Sequence, residues 1–394
     1  MTSTRGATGS SPVLLRSTDI FEPAFAANDC YTADILSAPA EIKQLAELVR
    51  RLAPAADRLG EPPFFLASLS AEWIPRVVVV RRGAIVAGVM YTKERRVGGF
   101  RTGIIYGDGR LGNLVVANPV EREAVVTAAI TALFKARGTR AVRLAVPPGG
   151  ADAHAIAATA LSGRFDRGYG DVSLFDLHAR LTLTNDYQEF LRRLGPKTRH
   201  NFRYYRRKFD VAGHVYMPDL SAHDLQRAAT DLRARSQIPI GHAAIRRAVA
   251  VLAACDRPWA SGLRHRDGSW LSVAGGWFSG GRAFLFTQVN CDRDHASASL
   301  SVVHRAHLIE TLIERGTSEL VFWSGVGPPL SRYALPMPTI IACLDRRTPG
   351  WRILRSVIGR SQRWMPKRIA ADARWMASLA LAPEPPGIVP LDVA

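Results

Sequence analysis

Residues 261–289, SGLRHRDGSWLSVAGGWFSGGRAFLFTQV, divide into three β-rich runs cut by two turns. Ser261 to Arg266 ends at Asp267-Gly268, Trp270 to Phe278 ends at Gly280-Gly281, and Ala283 to Val289 follows. Asp-Gly and Gly-Gly pairs between apolar runs supply the positive φ that tight hairpins need, so the stretch predicts an antiparallel meander. A helix is expected next, from about Ser297 to Arg315, closed by Gly316 and followed by a strand from Glu319 to Trp323. The order is β-β-β-α-β.

The same order is legible earlier in the chain. Arg76 to Val80 and Ala84 to Tyr91 flank Arg81-Arg82-Gly83 as a hairpin, and Thr102 to Tyr106 is a third strand. A helix over Val120 to Ala136 stops at Gly138, and Val142 to Val146 is a short buried strand ending at Pro147-Pro148. The helix-to-strand joints also match, Arg137-Gly138-Thr139 in one copy and Arg315-Gly316-Thr317 in the other. A duplicated α/β (α+β) module is the expectation, each copy a mixed, mainly antiparallel sheet flanked by helices. Ahead of the first copy, Ile42, Leu45, Ala46, Val49 and Leu52 recur at helical spacing and predict a helix from about 40 to 53.

Between the copies lies LGPKTRHNFRYYRRKFD, Leu194 to Asp210. Pro196 suits a helix start. At ~100° per residue Thr198, Phe202, Tyr205 and Phe209 share one face, and Arg199, Arg203, Arg206 and Arg207 another. Guanidinium groups pair with phosphate or carboxylate through two parallel hydrogen bonds, so Arg199, Arg203 and Arg206 are candidate anion-binding residues. The alternative is a solvated face neutralised by acids elsewhere in the fold.

This helix, preceded by Tyr187-Gln188-Glu189-Phe190-Leu191, resembles the central signature of GNAT-superfamily acetyltransferases of the CelD-like type, which are related to Fem-type aminoacyltransferases. The resemblance covers about residues 60–345. It implies two tandem GNAT-like modules, with a catalytic cleft where strands splay in the second, and an acyl group moved from acetyl-CoA or another acyl-CoA to an amine. In such enzymes a glycine-containing loop opening a helix holds the CoA pyrophosphate with backbone N–H groups. The corresponding stretch here runs from Gln288 to Ser299, with Gln288, Val289, Asn290, Arg293, Ser297, Ala298 and Ser299 as candidate cofactor-binding residues. It departs from the family: Ala296, Ser297, Ala298 and Ser299 replace the glycines, and Asp292 and Asp294 would repel phosphate. A plain helix cap by Ser297 is the competing reading. Tyr333 falls near the position where many family members place a tyrosine acid, and is the candidate catalytic residue.

His304 and His307 are three apart on a helix, which raises a metal or base role. Val302, Ala306, Ile309 and Ile313 define the apolar side, so both histidines are expected on the solvent side with Thr311 and Glu314. No HExxH, Walker loop or nucleophile elbow occurs, and no metal is expected.

At 394 residues with 47% hydrophobic and 22% charged residues, the chain holds enough for a sizeable core. A boundary near 180 gives a mobile tail over 1–20, an N-terminal half over 21–180, a C-terminal half over 181–345 and a basic helical tail over 346–394. In that tail Trp351, Leu354, Ile358 and Met365 face one way and Arg352, Arg355, Arg360 and Arg363 the other. Such a helix packs on the second half or makes a peripheral membrane contact. No transmembrane segment or secretory leader is expected, and four scattered cysteines outside any CxxC pair point to the reducing cytoplasm. The formal charge of +18 favours anionic partners, although only six of 52 basic residues are lysine, an excess of arginine that follows genome composition as readily as a ligand. The leading expectation is an N-acyltransferase acting on a small-molecule, glycan or lipid-precursor acceptor. A Fem-type transferase using aminoacyl-tRNA and a catalytically silent binding protein are the alternatives.

Overall fold

A computed structural model describes residues 31–53, 61–97, 99–107, 114–146, 152, 165–171, 178–236, 241–323, 326–337, 340–346, 353 and 357. The expected N-terminal tail and the C-terminal helix carrying Trp351, Leu354, Ile358 and Met365 lie outside the described residues. In chain order the first repeat supplies β1 (Tyr31–Leu36), α1 (Pro39–Leu52), α2 (Pro62–Ser68), β2 (Trp73–Pro75), β3 (Val77–Arg82), β4 (Ile85–Met90), β5 (Thr92–Val97), β6 (Phe100–Gly107), β7 (Leu114–Val116), α3 (Arg122–Lys135), β8 (Ala141–Val146) and β9 (Phe165–Asp171). There follow β10 (Ala179–Thr182), α4 (Tyr187–Arg193), α5 (Pro196–Val211), β11 (Val215–Met217), α6 (Ala222–Leu232) and α7 (His242–Ala253). The second repeat is β12 (Pro258–Arg264), β13 (Trp270–Ser279), β14 (Arg282–Asn290), α8 (Leu300–Glu314) and β15 (Glu319–Phe322), and the chain returns through β16 (Leu335–Pro336) and β17 (Ile340–Arg346).

Glycine turns set the hairpins where the sequence places them: Gly83, Gly268, Gly280 and Gly281 all have positive φ. In the first module three long antiparallel runs bend across two sheets. β2 and β3 form one run, β4 and β5 the next, β6 and β7 the third, with β2 paired to β5, β3 to β4, β6 to β5 and β7 to β4. The strand orders are β1-β3-β4-β7 and β2-β5-β6-β8-β17-β9. The second module is one seven-stranded sheet, β11-β12-β13-β14-β15-β10-β16. In each copy a helix carries the chain to a parallel neighbour: α3 joins β6 to β8, and α8 joins β14 to β15. The two copies therefore share the β-β-β-α-β core that the sequence repeats.

Beyond that core one strand crosses between the modules. β10, which opens the second module, pairs antiparallel with β15 and β16, so every strand of the second sheet lies within residues 179–336. β17, which follows the second repeat, pairs antiparallel with β8 and β9 of the first. Each of the two takes the place next to a parallel pair, and the first sheet is completed only by a segment from beyond the second repeat. The register of β17 is fixed by a buried ion pair, with Arg143 Nη2 on β8 2.6 Å from Asp345 Oδ1 and side-chain exposures of 0% and 4%.

The second sheet is covered on both faces. Leu225, Ala228 and Leu232 of α6 and Val251 and Leu252 of α7 pack with Trp277, Phe284 and Val321 on one side. Phe202 of α5, Phe190 and Leu191 of α4, and Ala306, Ile309, Leu312 and Ile313 of α8 pack with Ala274, Leu285 and Phe322 on the other. Helix α5 thus buries the predicted Thr198, Phe202 and Phe209 stripe, with Tyr205 half-buried.

Candidate functional site

β14 and β15 pair in parallel from Arg282 opposite Glu319 to Leu285 opposite Phe322, where β15 ends and β14 runs on to Asn290. At the same level the β13–β14 register slips between Gly275 and Gly276, so that Phe286 is an extra residue on β14. Glycine is required there, because a Cβ on Gly276 would lie 1.6 Å from the Phe284 carbonyl oxygen. The bulge at the end of the parallel pairing re-aims the residues that follow, Thr287 to Asn290, and this strand end is the candidate cleft.

One side of the cleft is aromatic. Phe64 of α2 lies edge-on to Trp277 at 4.8 Å and to Trp323 at 5.6 Å, with Phe286 6.1 Å from Trp323. The side facing α8 is polar. Arg305 Nε donates to Gln288 Oε1 at 3.2 Å, Gln288 Nε2 to Asn290 Oδ1 at 3.2 Å, and Ser272 Oγ to Asn290 Oδ1 at 2.7 Å. His304 continues the chain, its Nδ1 2.6 Å from Ser272 Oγ and its Nε2 2.9 Å from Ser261 Oγ. Since Ser272 gives its proton to Asn290, His304 Nδ1–H donates to Ser272 and Nε2 accepts from Ser261.

The solvent-side expectation for the histidines is overturned. His304 is 0% and His307 8% exposed, because His304 turns to the sheet between Ser261 of β12 and Ser272 of β13, and His307 is covered by Tyr216 of β11 and Phe209 of α5. Burial pushes the His304 pKa down to about 3 and that of His307 to about 4, so both are neutral near pH 7. His307 stacks on Tyr216 at 4.9 Å. Among the described residues no group of three His, Cys, Asp or Glu could hold a metal ion.

The loop from Cys291 to Ser299 is pinned to the end of α6. Arg293 N–H donates to the Arg235 carbonyl at 3.1 Å, Arg293 Nη1 to the Ala234 carbonyl at 3.1 Å, and Arg235 pairs with Asp294 at 2.7 Å. That pairing holds the Asp294 carboxyl below the usual range, whereas burial raises Asp292. Ser297 and Ala298 lie in a 3-10 turn over Ala296–Ala298, and Ser299 takes a left-handed conformation, φ 48° and ψ 47°, immediately before α8. Ser297 is therefore not the cap of α8, and no side chain caps that helix. Of the other candidates, Val289 turns into the core at 3% exposure, while Gln288 and Asn290 join the polar chain.

Tyr333 makes its hydrogen bonds to a different element. Its Oη accepts the Gly195 N–H at 2.8 Å and its O–H donates to Thr198 Oγ1 at 3.3 Å, at the start of α5. The Thr198 and Gly195 bonds lower its pKa from the ordinary phenol value. A Cβ at Gly195 would sit 3.0 Å from that oxygen. The hydrogen bonds of Tyr333 thus lead to the basic helix and not to the Gln288–Asn290 chain. On α5, Arg206 pairs with Glu310 of α8 and lies over the Tyr187 ring at 5.4 Å, so its charge is shared within the fold. Arg203 bonds Gln188 at 3.2 Å on the rim of a groove of about 250 Å³ between α4 and α5.

Two modules joined through β17, each with a parallel pair bridged by a helix, define a tandem GNAT-type architecture. Residues 196–333, from the first residue of α5 to Tyr333, match the family model described as "Acetyltransferase (GNAT) domain". The second module therefore carries an acetyltransferase-type domain. Among solved structures the chain is similar to FemX, with 11% identity, TM-score 0.54 and coverage of 76% of this chain and 95% of that one. It is also similar to a conserved protein of unknown function from Bacteroides thetaiotaomicron, with 13% identity, TM-score 0.52 and coverage of 80% and 100%. A tandem GNAT protein from the clavulanic acid biosynthesis pathway aligns at 14% identity and TM-score 0.46 over 81% of this chain and 99% of that one. No curated protein matches the sequence. At 11% and 13% identity the likeness to FemX and to the Bacteroides thetaiotaomicron protein shows the fold alone.

Sequence reasoning did not single out Arg305, Ser261 or Ser272. The serines carried a signal, since Ser272 stands between Leu271 and Val273 in a strand buried on both faces and must find a partner there.

Proposed function

We propose that the protein is an N-acyltransferase of the CelD-like GNAT type that moves an acyl group from acyl-CoA to an amine in the cytoplasm. The observation that supports this reading most directly is the end of the β14–β15 pairing beside the Phe286 bulge, with Gln288 to Asn290 leading into a loop that ends at an uncapped helix. The thioester arm would lie along β14 beyond the end of that pairing. The CoA pyrophosphate would meet Ser297, Ala298, Ser299 and the free N–H groups at the start of α8, where the helix dipole favours anions. These residues fit the role in size and in backbone geometry, and Arg293 lies in the same loop. Acyl transfer needs a base to take a proton from the amine, donors for the developing oxyanion and an acid for the leaving thiolate. Tyr333, with its lowered pKa and its two hydrogen bonds, is the acid in this proposal. Arg199, Arg203 and Arg206 would hold an anionic portion of a small-molecule, glycan or lipid-precursor acceptor, Arg206 sharing its charge with Glu310.

Thermal-shift titration of the full chain with acetyl-CoA, longer acyl-CoAs and free CoA tests the donor. A saturable rise in Tm is expected, because a ligand selective for the folded state stabilises it. Tyr333→Phe is expected to lower acyl transfer about 100-fold or more while leaving that shift in place. No shift with any thioester would remove the acyl-CoA reading.

The exposed cations Lys197, Arg203, Arg207 and Lys208 along α5 favour a second reading, in which aminoacyl-tRNA is the donor. Charged tRNA would then bind with a steep loss of affinity as salt rises, since each neutralised phosphate releases counterions.

A further inference from the structure

Arg305 bridges β14 and β15. Its Nε donates to Gln288 on β14 at 3.2 Å, and its guanidinium lies over the Phe322 ring on β15, 5.4 Å from the centroid. The side chain is half-buried. Among the described residues no carboxylate lies within ion-pairing distance of it, whereas neighbouring arginines of the second module, Arg206, Arg235, Arg282 and Arg315, each have an acidic partner. Burial without a compensating anion holds its pKa down to about 10. A partly desolvated cation without a counter-ion costs stability, and one kept beside the end of the parallel pairing gains a partner only when an anion arrives. Gln288, a candidate cofactor-binding residue, already occupies Nε. The Nη1 and Nη2 edge makes no bond among the described residues, and that edge is the one that pairs with both oxygens of a carboxylate.

We propose that Arg305 is a specificity residue of the transfer cleft, pairing with a carboxylate carried by the acyl group or by the amine acceptor. The inference rests on the acyltransferase reading for its place in the reaction, and its own content is the pairing. A methyl-terminated acyl group such as acetyl would leave the guanidinium desolvated and unpaired, while a dicarboxylic acyl group or an amino-acid acceptor would satisfy it.

Calorimetric titration of the full-length protein separates the two sources. In the donor arm succinyl-CoA is compared with acetyl-CoA and free CoA; in the acceptor arm β-alanine is compared with propylamine, with and without CoA. In one arm the carboxylate-bearing ligand is expected to bind about tenfold tighter or more than its partner. Arg305→Met is expected to erase that preference with free CoA binding unchanged, and Arg305→Lys to restore part of it. Ligand-free Arg305→Met should also melt no lower than the parent, since an unpaired charge is replaced by an apolar chain of similar length; a merely structural arginine would give a lower Tm. Equal binding within both pairs, or a preference that survives Arg305→Met, overturns the inference. Loss of CoA binding to the parent protein would instead remove the acyl-CoA reading, and an Arg305-dependent preference for β-alanine would still stand.

Discussion

His304 meets a hydroxyl on each side of its ring, and that arrangement has a pH consequence. Its folded pKa of about 3 lies below the ordinary value near 6.5, as does that of His307 at about 4. The unfolded chain therefore binds protons more readily, and stability present above pH 6.5 is lost as pH falls toward those lower values. For His304 alone the loss at pH 4.5 is on the order of 2–3 kcal/mol. Arg305, Ser261 and Ser272 face the same ring and none offers a negative charge to hold it protonated. Tm measured from pH 7.5 to 4.5 should drop steeply below 6.5, and His304→Asn, which has no proton to gain, should flatten that drop even if it starts lower. A parent Tm indifferent to pH across this range would contradict the buried, neutral assignment.

Among the elements, β17 carries a buried ion pair across to β8. Arg143 and Asp345 are both nearly sealed from water, and breaking such a pair leaves a buried charge uncompensated. Asp345→Asn is expected to cost about 3–5 kcal/mol, read by urea denaturation, whereas Arg143→Met combined with Asp345→Leu should recover most of it. A double variant no better than the single one would mean that the pair, and not merely its neutrality, sets the register. The element level also shows where sequence reading works. Strands β12 to β14 and helices α3, α5 and α8 follow from local facts: turn glycines, apolar period and Pro196. Helix α8 shows where it stops. Its polar side carries His304 and His307, and only the packing of strands β11 to β13 and of α5 against it, from remote parts of the chain, makes that side an interior surface.

For the molecule as a whole, the repeat was legible and the crossing of β17 into the first sheet was not. Ala179 to Thr182 and Ile340 to Arg346 carry apolar patterns that suit a central strand in either sheet, and nothing local states which sheet receives them. The same holds for the cleft: the position of Gln288 and Asn290 at a strand end follows from the repeat, but Arg305 becomes visible only when the β14–β15 pairing is seen to end beside it. A chain ending after Met337 would lack β17, leaving β8 and β9 without the strand between them. It should show early protease cleavage within residues 77–146 at temperatures where the full chain resists, with the second module's α6–α8 segment cut later. Equal resistance of both segments would show that the first module closes without β17.

The crossing of β17 also bears on how the protein is made. On the ribosome β8 and β9 emerge long before β17, so the first sheet cannot close until synthesis has passed the second repeat. The early half must wait, with its parallel pair open at the edge, for residues that have not yet been translated. Folding of the first copy is thereby tied to completion of the chain, and a gene carrying only that copy could not produce its closed sheet.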